Sequence, residues 1–185
     1  SDLERDLDTS RAMEGELGRI RDDANWLDRR PDTATMIRQR LKRMLPPAGA
    51  LTQRLAQLRE RAEFARRGEA HRIAQLEKQL KQLPESQRRR AGLELRARCK
   101  ALELDRRIER LDRGVAEAEQ RLRALIAAVD DSLSAYQYRR ASSLIDDAAR
   151  LQRQISKLLQ LIERAEQRLL TAGRRAAKAA AEVTA

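Results

Sequence analysis

Apolar residues recur along this chain at alternating spacings of three and four, the mark of helices that each carry one apolar stripe. Over residues 2–29 the stripe is Leu3, Leu7, Leu17, Ile20, Ala24 and Leu27, with Ser10 and Met13 or Glu14 filling the gap. Asp2, Glu4 and Asp6 place acids where a helix N-terminus favours them. Pro31 ends this element by disfavouring a helical conformation at Arg30. Asp32 or Thr33 then caps a short second helix reaching about Leu45, where Pro46 and Pro47 stop it. A third helix is predicted from about Ala48 to Leu83, with the stripe Leu51, Leu55, Leu58, Ala62, Ala65, Ile73, Leu76, Leu80 and Leu83.

Pro84 suits the first position of a further helix, where its missing N–H is tolerated. The tight Leu83-Pro84 corner predicts that the chain folds back there as an antiparallel hairpin. The returning stripe is Leu104, Ile108, Leu111, Val115, Ala118, Leu122, Leu125 and Val129, and it resumes as Leu144, Ala148, Leu151, Ile155, Leu158, Ile162, Ala165 and Leu169. Between the halves lies SLSAYQYRRASS, residues 132–143. Joining the stripes through Leu133, Tyr136 and Arg140 needs one extra step of four, a stutter that unwinds a supercoil locally. The alternative is a turn with a new helix capped at Ser142 or Ser143. With no Gly or Pro in the segment, the continuous helix is the expectation.

The pattern therefore predicts an all-α fold: a long antiparallel coiled-coil hairpin with shorter N-terminal helices packed beside it. Residues 1–45 form an acidic helix plus a short basic one, residues 46–172 the hairpin, and residues 173–185 an alanine-rich tail expected to fray. Composition agrees. Charged residues are 37% of the chain and aromatics only 2%, and helices that bury a narrow seam need few large side chains. That sustained periodicity also argues against disorder, the other reading of a charge-rich chain.

Chemistry is narrowed next. Cys99 is the one cysteine and His71 the one histidine, so neither an internal disulfide nor a multi-ligand Cys/His metal site can be assembled. GELG at residues 15–18 lies inside a helical pattern and lacks the Lys-Ser or Lys-Thr of a phosphate loop. Asp130-Asp131 and Asp146-Asp147 are adjacent in a helix and point about 100° apart, which makes no ready metal clamp. No apolar run approaches the roughly 20 residues needed to span a bilayer. The expectation is a cytoplasmic protein without enzymatic activity, cofactor or small-molecule substrate.

Charge is the remaining signal. The net charge is +11. In the Arg-rich run after Pro84, acids are interleaved as i to i+4 partners such as Glu94–Arg98 and Glu117–Arg121, which describes a solvated, self-neutralising face. Between Asp32 and Glu60 there is no acid, while Arg38, Arg40, Lys42, Arg43, Arg54 and Arg59 accumulate. These six are the candidate site for an anion or a partner. The competing reading folds the acidic first helix onto them, with Asp22, Asp23 and Asp28 pairing with Arg38, Lys42 or Arg43. Scarce aromatics disfavour stacking on single-stranded nucleic acid.

These observations give three functional expectations. The first is a structural or scaffolding coiled coil that joins protein partners, or copies of itself, through helix seams. The second is an accessory protein that contacts nucleic-acid phosphate without sequence preference. The third is a membrane-associated helical protein that binds anionic lipid through a basic amphipathic helix.

Overall fold

The computed structural model describes the backbone of residues 2–184 and the side chains of residues 3–44 and 66–182. Among the described residues the chain forms four helices and no strand: α1 (Asp2–Ala24), α2 (Thr33–Leu80), α3 (Glu85–Ser134) and α4 (Tyr138–Thr184). The fold is an all-α helical hairpin, with α3 and α4 packed against each other. It divides into two compact units. Unit 1 comprises Ser1–Leu55 and Asp112–Gln160, and unit 2 comprises Ala56–Leu111 and Leu161–Ala185.

Three boundaries differ from the sequence pattern. The helix expected to run through residues 132–143 ends at Ser134, and α4 starts at Tyr138. The reason is a helix C-cap built without glycine. Tyr136 takes a left-handed φ of 59°, its N–H donates to Leu133 O, and the Gln137 N–H donates to Ser132 O at 2.8 Å. These two bonds make a Schellman motif, which satisfies carbonyls the ending helix would otherwise leave bare. The second difference is that α2 continues as one helix from Thr33 to Leu80, so the expected stop at Pro46-Pro47 falls inside it. Each proline removes one backbone donor, and the length of amphipathic helix on either side outweighs that local loss. Finally, the alanine-rich segment expected to fray is helical to Thr184, with Ala176 and Ala179 buried. Alanine has the highest helix propensity and buries without rotamer cost.

Unit 1 is a four-helix bundle in which every helix has two neighbours. Arg40 of α2 binds Glu16 and Asp23 of α1. Arg38 of α2 binds Asp130 of α3. Gly114 of α3 faces Leu158 of α4, so close that an added Cβ would sit 3.6 Å from Cδ1 of that leucine. Both residues lie 22 positions from Tyr136, as an antiparallel hairpin about that turn requires. The ring closes where Ser10 of α1 meets Ser156 of α4. Because α4 is flanked by α1 and α3, it buries a wider face than a coiled-coil seam. Ala141, Ile145, Ala149 and Leu159 are buried as well as Ala148 and Ile155. Leu159, one position beyond Leu158 of the predicted stripe, is fully buried. Leu17, Ile20, Leu122 and Leu159 are completely enclosed, each contributing about 1.5–3 kcal/mol of burial free energy.

A polar layer crosses this core. Gln152 Nε2 donates to Ser10 Oγ at 2.7 Å, and Ser10 Oγ lies 2.8 Å from Ser156 Oγ. The three side chains are buried, Gln152 Oε1 has no hydrogen-bond partner, and a one-residue slip of α1 on α4 would break the Ser10 bonds as well. Trp26 lies exposed in the α1–α2 connection with the Arg29 guanidinium over its ring. The cation is attracted by the ring face, which gives the indole a partner outside the core.

In unit 2 the described side chains are those of residues 66–111 and 161–182. Ile73 and Leu76 of α2, Ala91 and Leu104 of α3, and Ile162, Ala165, Ala172, Ala176 and Ala179 of α4 are buried. Here α2 and α3 are joined by ion pairs. Arg66 reaches Asp105 at 2.7 Å and also Glu109, while Arg98 bridges Glu69 at 2.8 Å and Glu94 at 2.9 Å. Arg90 of α3 donates to the backbone oxygen of Glu182 in α4, and these two positions are each 46 residues from Tyr136.

Candidate functional site

Of the six cations picked from the sequence, Arg38 and Arg40 are drawn into ion pairs between helices. Arg40 is the most engaged. Its Nε donates to Glu16 Oε1 at 2.6 Å and its Nη1 to Asp23 Oδ2 at 2.5 Å. The Arg40 contact holds the Glu16 carboxyl below its ordinary range, and Glu16 in turn raises Arg40. Arg38 Nε donates to Asp130 Oδ1 at 2.7 Å, which holds Asp130 low as well. Asp23 is thus the member of the expected acid set that pairs here, joined by Glu16 and by Asp130 from a helix that the local sequence gives no hint of. Lys42 and Arg43 are exposed. Arg54 and Arg59 lie outside the described side chains.

A second set of cations, not foreseen as a set, converges in unit 2. A groove of about 850 Å³ runs between α3 and α4. Its floor is apolar, made by Leu93, Ala97 and Leu104 of α3 with Ala172 and Ala179 of α4. Its rims carry Arg96 and Lys100 on one side and Arg164, Arg168, Arg175 and Lys178 on the other, against one acid, Glu182. All six cations are exposed. Lys100 touches Glu103 only loosely, at 3.8 Å, with both groups well solvated. Arg96 donates to the Gly92 carbonyl within its own helix.

Local sequence explains this arrangement. On α4 the positions 164, 168, 171, 175 and 178 follow steps of four and three, so they form one stripe along the helix. On α3, Leu93, Ala97, Lys100 and Leu104 follow the same steps. The α3 residues that face α2, namely Glu94, Arg98, Asp105 and Glu109, lie roughly a third of a turn away at 3.6 residues per turn. The α2-facing acids are therefore occupied on another face. A sequence signal for the groove exists in the α4 stripe, but Arg175 and Lys178 fall within residues 173–185, which composition alone predicts to fray. Interleaved charges on α3 also hid the fact that its acids and its bases point to different neighbours.

The isolated candidates for other chemistry sit apart. His71 Nε2 accepts from Nε2 of its helical neighbour Gln75 at 3.1 Å. Cys99 is exposed on α3. Among the described residues no group of three or more His, Cys, Asp or Glu side chains could hold a metal ion, and no helix is long and apolar enough to cross a membrane.

Known proteins add no analogy. No family model matches the chain, and neither a curated protein nor a solved structure is significantly similar to it.

Proposed function

We propose that this chain is a helical scaffold, a cytoplasmic arm or adaptor that joins protein partners, or copies of itself, through helix faces. The observation that carries the reading is the open groove of unit 2, where Leu93 stands 48% exposed beside the buried Leu104, Ala172 and Ala179 that close the floor between two long helices. Leu161 and Leu170 of the same unit are also exposed. Contiguous apolar surface rimmed by polar groups marks association surfaces more often than it marks inert surface. The cationic rim favours phosphate binding as a second reading, because six cations facing one acid would also attract a polyanion.

Light scattering coupled to size exclusion separates the two. The scaffold reading expects a mass above the 21.2 kDa of one chain, persisting at about 1 M salt, where charges are screened beyond about 3 Å. A chain that stays monomeric at every concentration, and gains mass only with duplex DNA at low salt, would refute it.

A further inference from the structure

We infer that the α3/α4 groove of unit 2 docks an amphipathic helix of a partner protein whose apolar stripe is flanked by Glu and Asp. This rests on the scaffold reading and names the partner's chemistry.

The groove combines two features that one kind of ligand satisfies together. Its floor is apolar and made largely of small side chains, Ala97, Ala172 and Ala179, with Leu93 and Leu104 beside them. Small residues let a third helix backbone approach closely, and leucine-sized knobs fill what remains. The rims carry Arg96, Lys100, Arg164, Arg168, Arg175 and Lys178. They lie where the flanking positions of a docked helix would run, and charges at such positions set partner choice. The α4 cations extend over 14 residues, from Arg164 to Lys178, or about 21 Å along the axis. That length matches about four turns of a bound helix.

Two other polyanions fit less well. A nucleic-acid backbone would neutralise the rims and leave the apolar floor facing phosphate and water, and no aromatic side chain lines the groove for base stacking. An anionic bilayer is flat and cannot reach a floor recessed between two helices. Among the described acids of unit 2, Glu103 meets the rim only loosely, 3.8 Å from Lys100. Glu69 is engaged by Arg98, and Asp105 by Arg66, while Glu182 is the single acid in the groove.

The test uses the full chain and a fluorescein-labelled synthetic peptide of about three heptads, with Leu at a and d and Glu at e and g. A sister peptide has Lys in place of every Glu, and a short duplex DNA is the third probe. Anisotropy is expected to show micromolar binding of the Glu peptide and none of the Lys peptide. Arg168→Glu with Lys178→Glu, both surface changes, should weaken the Glu peptide at least about tenfold and admit the Lys peptide. Leu93→Ser should weaken the Glu peptide about fivefold or more, as loss of an apolar anchor does, and leave any DNA binding unchanged. Circular dichroism of each variant confirms folding. If DNA binds as tightly as the Glu peptide and Leu93→Ser affects neither, the groove is a polyanion site and the inference is overturned. Absence of Glu-peptide binding with salt-resistant assembly intact overturns the docking inference and leaves the scaffold reading standing. Absence of both overturns the two together.

Discussion

Arg40→Gln is the sharpest test of how unit 1 is held together. The side chain is 20% exposed and makes two charge-assisted hydrogen bonds to α1, at 2.6 Å to Glu16 and 2.5 Å to Asp23. A charge-assisted bond in a partly buried setting contributes about 1.5–3 kcal/mol, and an exposed ion pair about 0.2–1 kcal/mol. Glu16 is 27% exposed and Asp23 is 42% exposed, so the first bond falls near the bottom of the upper range and the second within the lower. Together they give about 2 kcal/mol. For a chain of this size that is a fall in Tm of about 4–8 °C, at about 2–4 °C per kcal/mol. The control is Arg43→Gln, three positions on, exposed and without an acid partner among the described residues. It should change stability by no more than about 0.5 kcal/mol. Thermal unfolding followed by circular dichroism reads the two variants. Hydrogen exchange assigns the loss to α1, and a double-mutant cycle with Glu16→Gln isolates the pair. Equal effects of Arg40→Gln and Arg43→Gln would refute the assignment and return both cations to the free surface.

Three further outcomes follow from the same structure. Tyr136→Gly should be about 1 kcal/mol more stable than Tyr136→Ala in urea unfolding, because both lose the edge contact with Tyr138 and only glycine sheds the left-handed penalty; an alanine variant of equal or greater stability would refute the strained cap. Ser10→Ala should cost about 1 kcal/mol, because Gln152 Nε2 loses its 2.7 Å bond to Ser10 Oγ and keeps only the 3.3 Å bond to the Ser10 backbone oxygen, whereas Ser10→Ala with Gln152→Leu and Ser156→Ala should recover most of that loss; a triple variant weaker than the single one would mean the polar layer contributes net stability. Acidification should act on Glu16→Gln and Glu166→Gln with opposite signs. Glu16 titrates below its ordinary 4.5 through its Arg40 contact, so its contribution is complete above that value and lost as pH falls through the lowered one. Glu166 titrates above 4.5, first through burial and then through Glu163, so its charge is unfavourable at neutral pH and the penalty vanishes as pH falls below the raised value. Glu16→Gln is therefore less stable than the natural chain at pH 7 and Glu166→Gln more stable, and both gaps close in acid; gaps of the same sign in urea unfolding would refute the pairing of cause and direction.

Much of the architecture was legible because it depends on periodicity alone. Leu7, Leu17, Ile20, Ala24 and Leu27 form the buried stripe read from their spacing, as do Val115, Ala118, Leu122 and Val129, and the fold-back at Leu83-Pro84 separates α2 from α3. Periodicity reports that a face is buried but not how many neighbours bury it. That is why Leu159 and Ile145 were missed: they belong to the second stripe that α4 acquires by touching both α1 and α3. The turn at Tyr136 was hidden for a different reason. Its signal would be glycine at the left-handed position, and this cap uses tyrosine at a local energetic cost of about 1–2 kcal/mol, which the packing of two long helices outweighs.

The candidate site was the least legible part, and the reason is geometric. Judging charge by neighbours four residues away assigns Arg38 and Arg40 to an unneutralised surface and Arg96 and Lys100 to a neutral one. Folding reverses both assignments. Asp130 lies 92 positions from Arg38 and yet accepts its hydrogen bond, so a segment devoid of local acids becomes the tie between helices. Conversely, Arg96 and Arg175 are 79 positions apart and line one groove, while Glu94, two residues from Arg96, turns away and is spent on Arg98. A two-residue step on a helix is about 200° of rotation, so adjacency in sequence is close to the poorest guide to adjacency in space. What decides where charge accumulates is which helix face each residue shares, and which helix the antiparallel register about Tyr136 brings opposite it. By that criterion Arg38 and Arg40 close the four-helix bundle, Lys42 and Arg43 stay on its surface, and the cations that converge on one groove are those along Arg164 to Lys178 with Arg96 and Lys100 opposite.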